Sequence, residues 1–358
     1  MELNRFDLDT YLYPFWKSKE IYHETLTFVG EEDEAPLLYP ATDIICVRNF
    51  GLDIVYEEGK DFLLTKNGKI KRLKGSKMPY FKMDEFYSKD PGQHSLRVIE
   101  EKEGVSFGET RYLAFGEGNF ITSRQVAVSY RHESEYDGII PPCKKKNLPK
   151  TSDCLKNGQD IKVAFYGDSI TVGGNASGLS YGGEVAPYMD GFDRMVVRRL
   201  EEQFGVNIEM FNCAVGGWNV TQGRERFSER MGSFTPDLMI LGFGMNGAMQ
   251  EVSGYKVDTL DIIRQVRDRN PLCEIVLLST TLPNPNIDWM RNQPFYAGAL
   301  YEIEQELNGV AVADMTAMHT YLLTKKRFRD MTANNINHPN DFLIRVYAQV
   351  ILQIISGI

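Results

Sequence analysis

Five short apolar runs, separated by stretches of helical periodicity, fill the chain from Ile161 to its end, and this alternation constrains the fold more than any other feature. The runs lie at residues 161–166, 206–211, 237–242, 274–279 and 310–313. Between them Phe192, Met195, Val196, Leu200 and Phe204 recur at helical spacing, as do Leu260, Ile263 and Val266. Residues 295–307 form a further helical stretch. A last helix begins at Asn340 or Asp341, both good N-caps, and carries Phe342, Val346, Val350, Ile351 and Ile354 on one face. Short continuous apolar strands that alternate with helices predict an α/β fold: a parallel sheet covered on both faces.

The first 135 residues or so follow a different pattern. Residues 43–48 and 53–56 are strand candidates split by Gly51, and 125–130 alternate like a strand with one solvated face. Residues 61–65 and 70–73 flank Lys66-Asn67-Gly68-Lys69, and Asn-Gly suits the positive φ angles of a tight hairpin turn. With no long helical period between them, these strands predict a β-sandwich. A proline- and lysine-rich connector over 141–150 cannot bury a core and marks the boundary. The expected organisation is a β-sandwich accessory domain over 1–150 and an α/β domain over 151–358, in keeping with a length of 358 residues. Nothing in the first half has a catalytic pattern. His23, His94 and His132 stand among charged or turn residues, as surface imidazoles do.

The strand over 161–166 ends in Gly167-Asp168-Ser169, a sharp polar turn followed by Gly173-Gly174-Asn175. In open α/β sheets ligands sit just beyond the carboxyl ends of the strands, so a serine placed there can serve as a nucleophile. Alone, the tripeptide is also ordinary turn chemistry. Three more segments accompany it: Asn212-Cys213-Ala214-Val215-Gly216-Gly217, then Gly244-Met245-Asn246, then Asn335-Ile336-Asn337-His338-Pro339. Taken in this order, the four blocks resemble the GDSL/SGNH hydrolase family, in which they supply Ser, Gly, Asn and His. The resemblance implies a flavodoxin-like strand order for the five-stranded sheet. It also implies a serine esterase with Ser169 as nucleophile and His338 as general base. The oxyanion hole would comprise the backbone N–H groups of Ser169 and Gly217 with the side-chain amide of Asn246.

Two positions depart from the family pattern. Gly247 stands where an Asp commonly follows the third-block Asn, and the usual Asp-x-x-His here is Asn335-Ile336-Asn337-His338. The acid that would orient the imidazole and stabilise its cation is missing from its place. Asn335 can accept a hydrogen bond without bringing charge, a main-chain carbonyl over 334–336 could serve equally, and Asp330 is a weaker substitute. Some two-domain carbohydrate acetylesterases of this superfamily, with an N-terminal jelly-roll-like β-sandwich, work as a Ser–His dyad, and the chain resembles them. The resemblance implies removal of O-acetyl groups from carbohydrates or polysaccharide fragments, with no metal or other cofactor. Trp218, with Trp289 and Asn219, could offer a sugar a stacking face and polar edges. The loop over 281–286 is expected to border the cleft, and His319 to be a structural histidine. A lipase or thioesterase of the same superfamily, or a carbohydrate-binding protein with a weak catalytic centre, are the alternatives.

Composition narrows the partners. A net charge of −9 disfavours nucleic acid and anionic membrane surfaces, both of which select basic patches. Five scattered cysteines without metal-like spacing favour reduced thiols. No signal peptide and no run of 18 apolar residues is visible, so a cytoplasmic location is the default expectation, or a secreted one if a leader has been removed.

Overall fold

The computed structural model describes residues 7–92, 95–99, 107–179 and 185–357. Its N-terminal part is built from antiparallel strands: β1 (Glu20–Thr27), β2 (Asp43–Asn49), β3 (Val55–Tyr56), β4 (Phe62–Leu64), β5 (Ile70–Arg72), β6 (Tyr112–Ala114) and β7 (Gln125–Arg131). The largest sheet has the order β1-β7-β2-β3, and two small three-stranded sheets, one containing β4 and β5 and the other β6, complete a β-sandwich-like domain. The β4–β5 hairpin pairs Phe62 with Arg72 and Leu64 with Ile70. Gly68 closes it at φ 70°, and a Cβ there would lie 2.6 Å from the backbone of Pro40, so only glycine fits.

The second half contains β8 (Ile161–Gly167), β9 (Ile208–Asn212), β10 (Leu238–Gly242), β11 (Glu274–Leu278) and β12 (Val310–Ala313). They form one parallel sheet in the order β9-β8-β10-β11-β12, the flavodoxin-like arrangement. Helices α1 (Pro149–Lys156), α2 (Ser169–Val172), α3 (Phe192–Phe204), α4 (Val220–Met231), α5 (Val252–Arg269), α6 (Gln293–Glu306), α7 (Met315–Leu323) and α8 (Asp341–Ser356) connect and cover it. Side chains alternate between two cores. Val163, Phe165, Ile240, Val276 and Ala311 pack in one cluster with α3 and α8, while Ala164, Tyr166, Met239, Ile275 and Val312 pack in the other with α4, α5 and α6. Both faces are therefore dry along β10, β11 and β12, which is why these strands carry no polar alternation, whereas Lys162 on β8 and Glu209 on the edge strand β9 are exposed.

The two halves share a core. Leu26, Val126, Val128 and Tyr130 belong to the same apolar cluster as Phe342, Val346 and Val350 of α8. The expectation of a solvated face on β7 is corrected here: every residue of it but Arg131 is buried. The segment before α8 covers that face, with Gln125 Nε2 donating to the carbonyls of Arg329 and Thr332 at 3.1 and 2.9 Å. The connector is likewise docked, since Lys144 N donates to Ile354 O and its ammonium pairs with Glu304.

His23 and His132 are also corrected, because neither is on the surface. His23 hydrogen-bonds Tyr11 and is pushed down to about 3 by burial. His132 is 1% exposed and stacks on the Tyr39 ring at 3.9 Å. His94 lies outside the described residues.

Candidate active site

β8 ends at Gly167, where nothing larger fits beside the adjacent β10: a Cβ there would stand 2.2 Å from the carbonyl oxygen of Gly242. Asp168 follows as the N-cap of α2, accepting from the N–H of Ile170 at 3.0 Å, while its other oxygen accepts from Met245 N at 3.4 Å. One carboxylate thus ties the serine turn to the third sequence block. Burial pushes its carboxyl up to about 6, against the pull of these N–H groups and of His338. Ser169 sits at the first position of α2, 4% exposed.

The second block is anchored the same way. Asn212, at the end of β9, donates to Thr171 O and to Asp193 Oδ2, both at 2.8 Å, and its own oxygen accepts from Ala214 N. Val215 N donates to Gly167 O, so the loop from 213 to 219 is bonded to the serine turn. Gly217 lies in that loop at φ 79°, exposed, with open space beside its Cα. Asn246 donates from its amide to Trp218 O at 3.1 Å, linking the third block to the second. An NH₂ group has two protons, so this bond leaves one free to donate.

His338 arrives on a loop shaped by its own side chains. Asn334 Oδ1 accepts from the N–H groups of Ile336, Asn337 and His338 at 2.9, 3.0 and 3.0 Å. Ala333 N and Thr332 Oγ1 both donate to His338 O. The imidazole so presented places Nε2 2.9 Å from Ser169 Oγ across 169 positions of sequence. Nδ1 faces Glu117 Oε2 and Asn175 Oδ1, each at 3.2 Å. Two acceptors at Nδ1 require a proton there, which leaves the Nε2 lone pair directed at the serine hydroxyl. Burial acts to raise the Glu117 carboxyl, but the hydrogen bond and charge of His338, with the amides of Asn334 and Asn175, outweigh it and hold it below its ordinary value.

Ser169 and His338 thus meet as expected, and the loops bearing Gly217 and Asn246 converge on the same strand ends. Asn335 does not orient the imidazole, which corrects that expectation. Its amide donates to Ala114 O at 2.7 Å and its oxygen accepts from Asn284 at 3.2 Å. Asp330 is also committed elsewhere, to Arg327 and to the N–H of Thr27. The residues that sequence reasoning missed are Glu117, Asn175 and Asn334. Asn175 had a signal, being an asparagine that follows Gly173-Gly174 in the turn after the serine, and it adopts φ 68° there. Glu117 offered only a glycine on either side.

The residues expected on the substrate side have the following surroundings. Trp218 is half-buried against the cluster of Val220, Phe227 and Phe243, Trp289 packs in a different cluster with Phe81 and Ile336, and Asn219 is the N-cap of α4. Most of the loop from 281 to 286 is buried and braces the His338 loop, with Asn284 donating to Ile336 O and Asn335 O. His319 is buried, its Nδ1 accepting from Leu282 N. Among the described residues no group of side chains could hold a metal ion, and no helix is long and apolar enough to cross a membrane.

Residues 165–342 match the model of the GDSL-like lipase/acylhydrolase family. This segment belongs to that family. The match spans the strand turn of Ser169, both intervening blocks and the His338 loop. None of the curated proteins matches the chain. Among solved structures, a two-domain esterase active on acetylated mannans, co-crystallised with mannopentaose, aligns at 19% identity and a TM-score of 0.46 over 59% of this chain and 53% of its own. An acetylxylan esterase from Geobacillus stearothermophilus aligns at 20% identity and a TM-score of 0.45 over 56% of this chain and 96% of its own. The chain spans about half the length of the two-domain esterase.

Proposed function

We propose that this GDSL-like protein is a serine esterase that removes acetyl groups from carbohydrates or polysaccharide fragments. The observation that carries the reading is the 2.9 Å contact between His338 Nε2 and Ser169 Oγ at the carboxyl end of a central strand. A hydroxyl in that position loses its proton to the imidazole as the oxygen attacks the ester carbonyl. The tetrahedral oxyanion is held by the N–H groups of Ser169 and Gly217 and by the Asn246 amide, donors that cost no reorganisation because their loops are already bonded together. His338 then gives the proton to the departing sugar hydroxyl. A water, deprotonated by the same nitrogen, releases acetate and regenerates Ser169.

The acetyl and carbohydrate parts of the reading rest on the likeness to two-domain carbohydrate acetylesterases and on Trp218, which follows Gly217 and keeps part of its surface open beside the oxyanion loop. The test is acetate release from a panel of acetylated glycans, beginning with mannan and xylan oligosaccharides, by wild type and Ser169→Ala. The variant should lose about three to six orders of magnitude in kcat. Comparing p-nitrophenyl acetate with the octanoate then separates the alternatives. A strong preference for octanoate would replace the acetyl assignment with a lipase or thioesterase, and no hydrolysis with no organophosphate labelling of Ser169 would leave a binding protein.

A further inference from the structure

We infer that Glu117 is the residue that positions His338, so that the third member of the triad is supplied by the N-terminal β domain. The inference rests on the Ser169–His338 reading above and adds to it the source of the missing acid. The carboxylate is bonded to the imidazole at 3.2 Å from Nδ1, on the side opposite the serine. Its other oxygen accepts from Asn334 Nδ2 at 3.1 Å, and Asn334 is the residue whose own oxygen holds the N–H of His338. A single asparagine therefore grips both the acid and the base and fixes their separation.

The loop that carries Glu117 is joined to the His338 loop by two further bonds that do not involve the carboxylate. Asn335 donates to Ala114 O at 2.7 Å, and Gly116 N donates to Asn334 O at 3.3 Å. The position that holds the acid elsewhere in the family is thus used to dock the neighbouring domain, which brings a different acid to the same nitrogen. Substituting Glu117 leaves both docking bonds in place, so the variants should fold.

The side chain of Glu117 is 48% exposed, so solvent screens its charge on the imidazolium. Its loss should therefore cost less than the roughly 10⁴-fold in kcat seen when a buried triad aspartate is replaced by asparagine. In Glu117→Gln, kcat for p-nitrophenyl acetate should fall by about 10- to 100-fold with KM changed less than about twofold, because the group acts through His338 and touches no substrate. Glu117→Asp, which keeps the charge, should recover part of the loss. The acid limb of kcat/KM against pH should move to lower pH in Glu117→Gln, since the imidazolium loses an anion bonded to its ring. Asp168, whose field also reaches His338 from the serine turn, remains and keeps the shift partial. Wild-type kcat with an unmoved acid limb in Glu117→Gln would overturn the inference, as would equal losses in the Gln and Asp variants accompanied by a lowered melting temperature. Inactive wild type with unlabelled Ser169 would overturn the esterase reading instead.

Discussion

Single side chains in the His338 loop have been given unexpected partners. A carboxylate at position 335 looks like the obvious repair of the family pattern, yet Asn335 sits at φ 65° with its amide donating to Ala114 O and its oxygen receiving the Asn284 amide. An aspartate there would face the carbonyl of Ala114 with no proton to give. Asn335→Asp should therefore destabilise the fold by about 1–3 kcal/mol, as expected when a buried acceptor loses its donor, and should not raise kcat. Chemical denaturation with parallel esterase assays checks both, and a more active variant of unchanged stability would contradict it. Ser169 and His338 were legible because each lies in a block of ordered neighbours. Glu117 was not, because its role exists only once the chain has brought together residues 221 positions apart.

Elements explain which other expectations held. The parallel strands and their helices were readable because both faces of the sheet are buried, which leaves an uninterrupted apolar run in the sequence. β7 misled for a related reason. Its polar positions Gln125 and Ser129 are buried and hydrogen-bonded rather than wet, with Gln125 spent on the segment before α8 and Ser129 on the N–H of His23. Alternation records polarity, and polarity has two satisfactory fates: water or a partner. The loop preceding α8 is held by one residue above all. Asn334→Ala removes the acceptor of three N–H groups and the donor to Glu117 together. It should cost about 2–4 kcal/mol, counting those N–H groups as partly rescued by water. It should also lower kcat more than Glu117→Gln does, since His338 itself is loosened. A thermal melt together with initial rates would show it, and a loss of stability without loss of rate would detach the loop from the chemistry.

Across the whole molecule, buried titratable groups oppose one another. His23 and His319 are pushed down to about 3 by burial, whereas Asp168 and Asp341 are pushed up to about 6, also by burial. The unfolded chain binds protons on the histidines between about pH 6.5 and 3 while the folded chain does not, so their contribution is present above that window and lost as pH falls through it. For the two aspartates the folded state holds the proton longer, so theirs is largest below about pH 4 and lost as pH rises towards 6. His319→Gln removes one of the opposing groups. Between about pH 4 and 6 the stability of wild type relative to the variant should fall with falling pH by about 1.4 kcal/mol per unit. Denaturant titrations at several pH values measure the difference, and a difference independent of pH would mean that His319 is protonated in the fold.

The charged pair that joins the halves has a practical corollary. Lys326 and Glu24, on opposite sides of the junction, are fully withdrawn from solvent and bonded to each other, and Asn340 reaches from the start of α8 to Thr25 and Gln125. Cutting at the proline-rich connector would take Glu24 away from Lys326, bare one side of the last helix and remove Glu117 in the same stroke. The hydrolase part should therefore fail as a minimal module onto which other accessory units are grafted. Chimeras that exchange the first 150 residues should be insoluble unless both sides of that seam are transplanted with them.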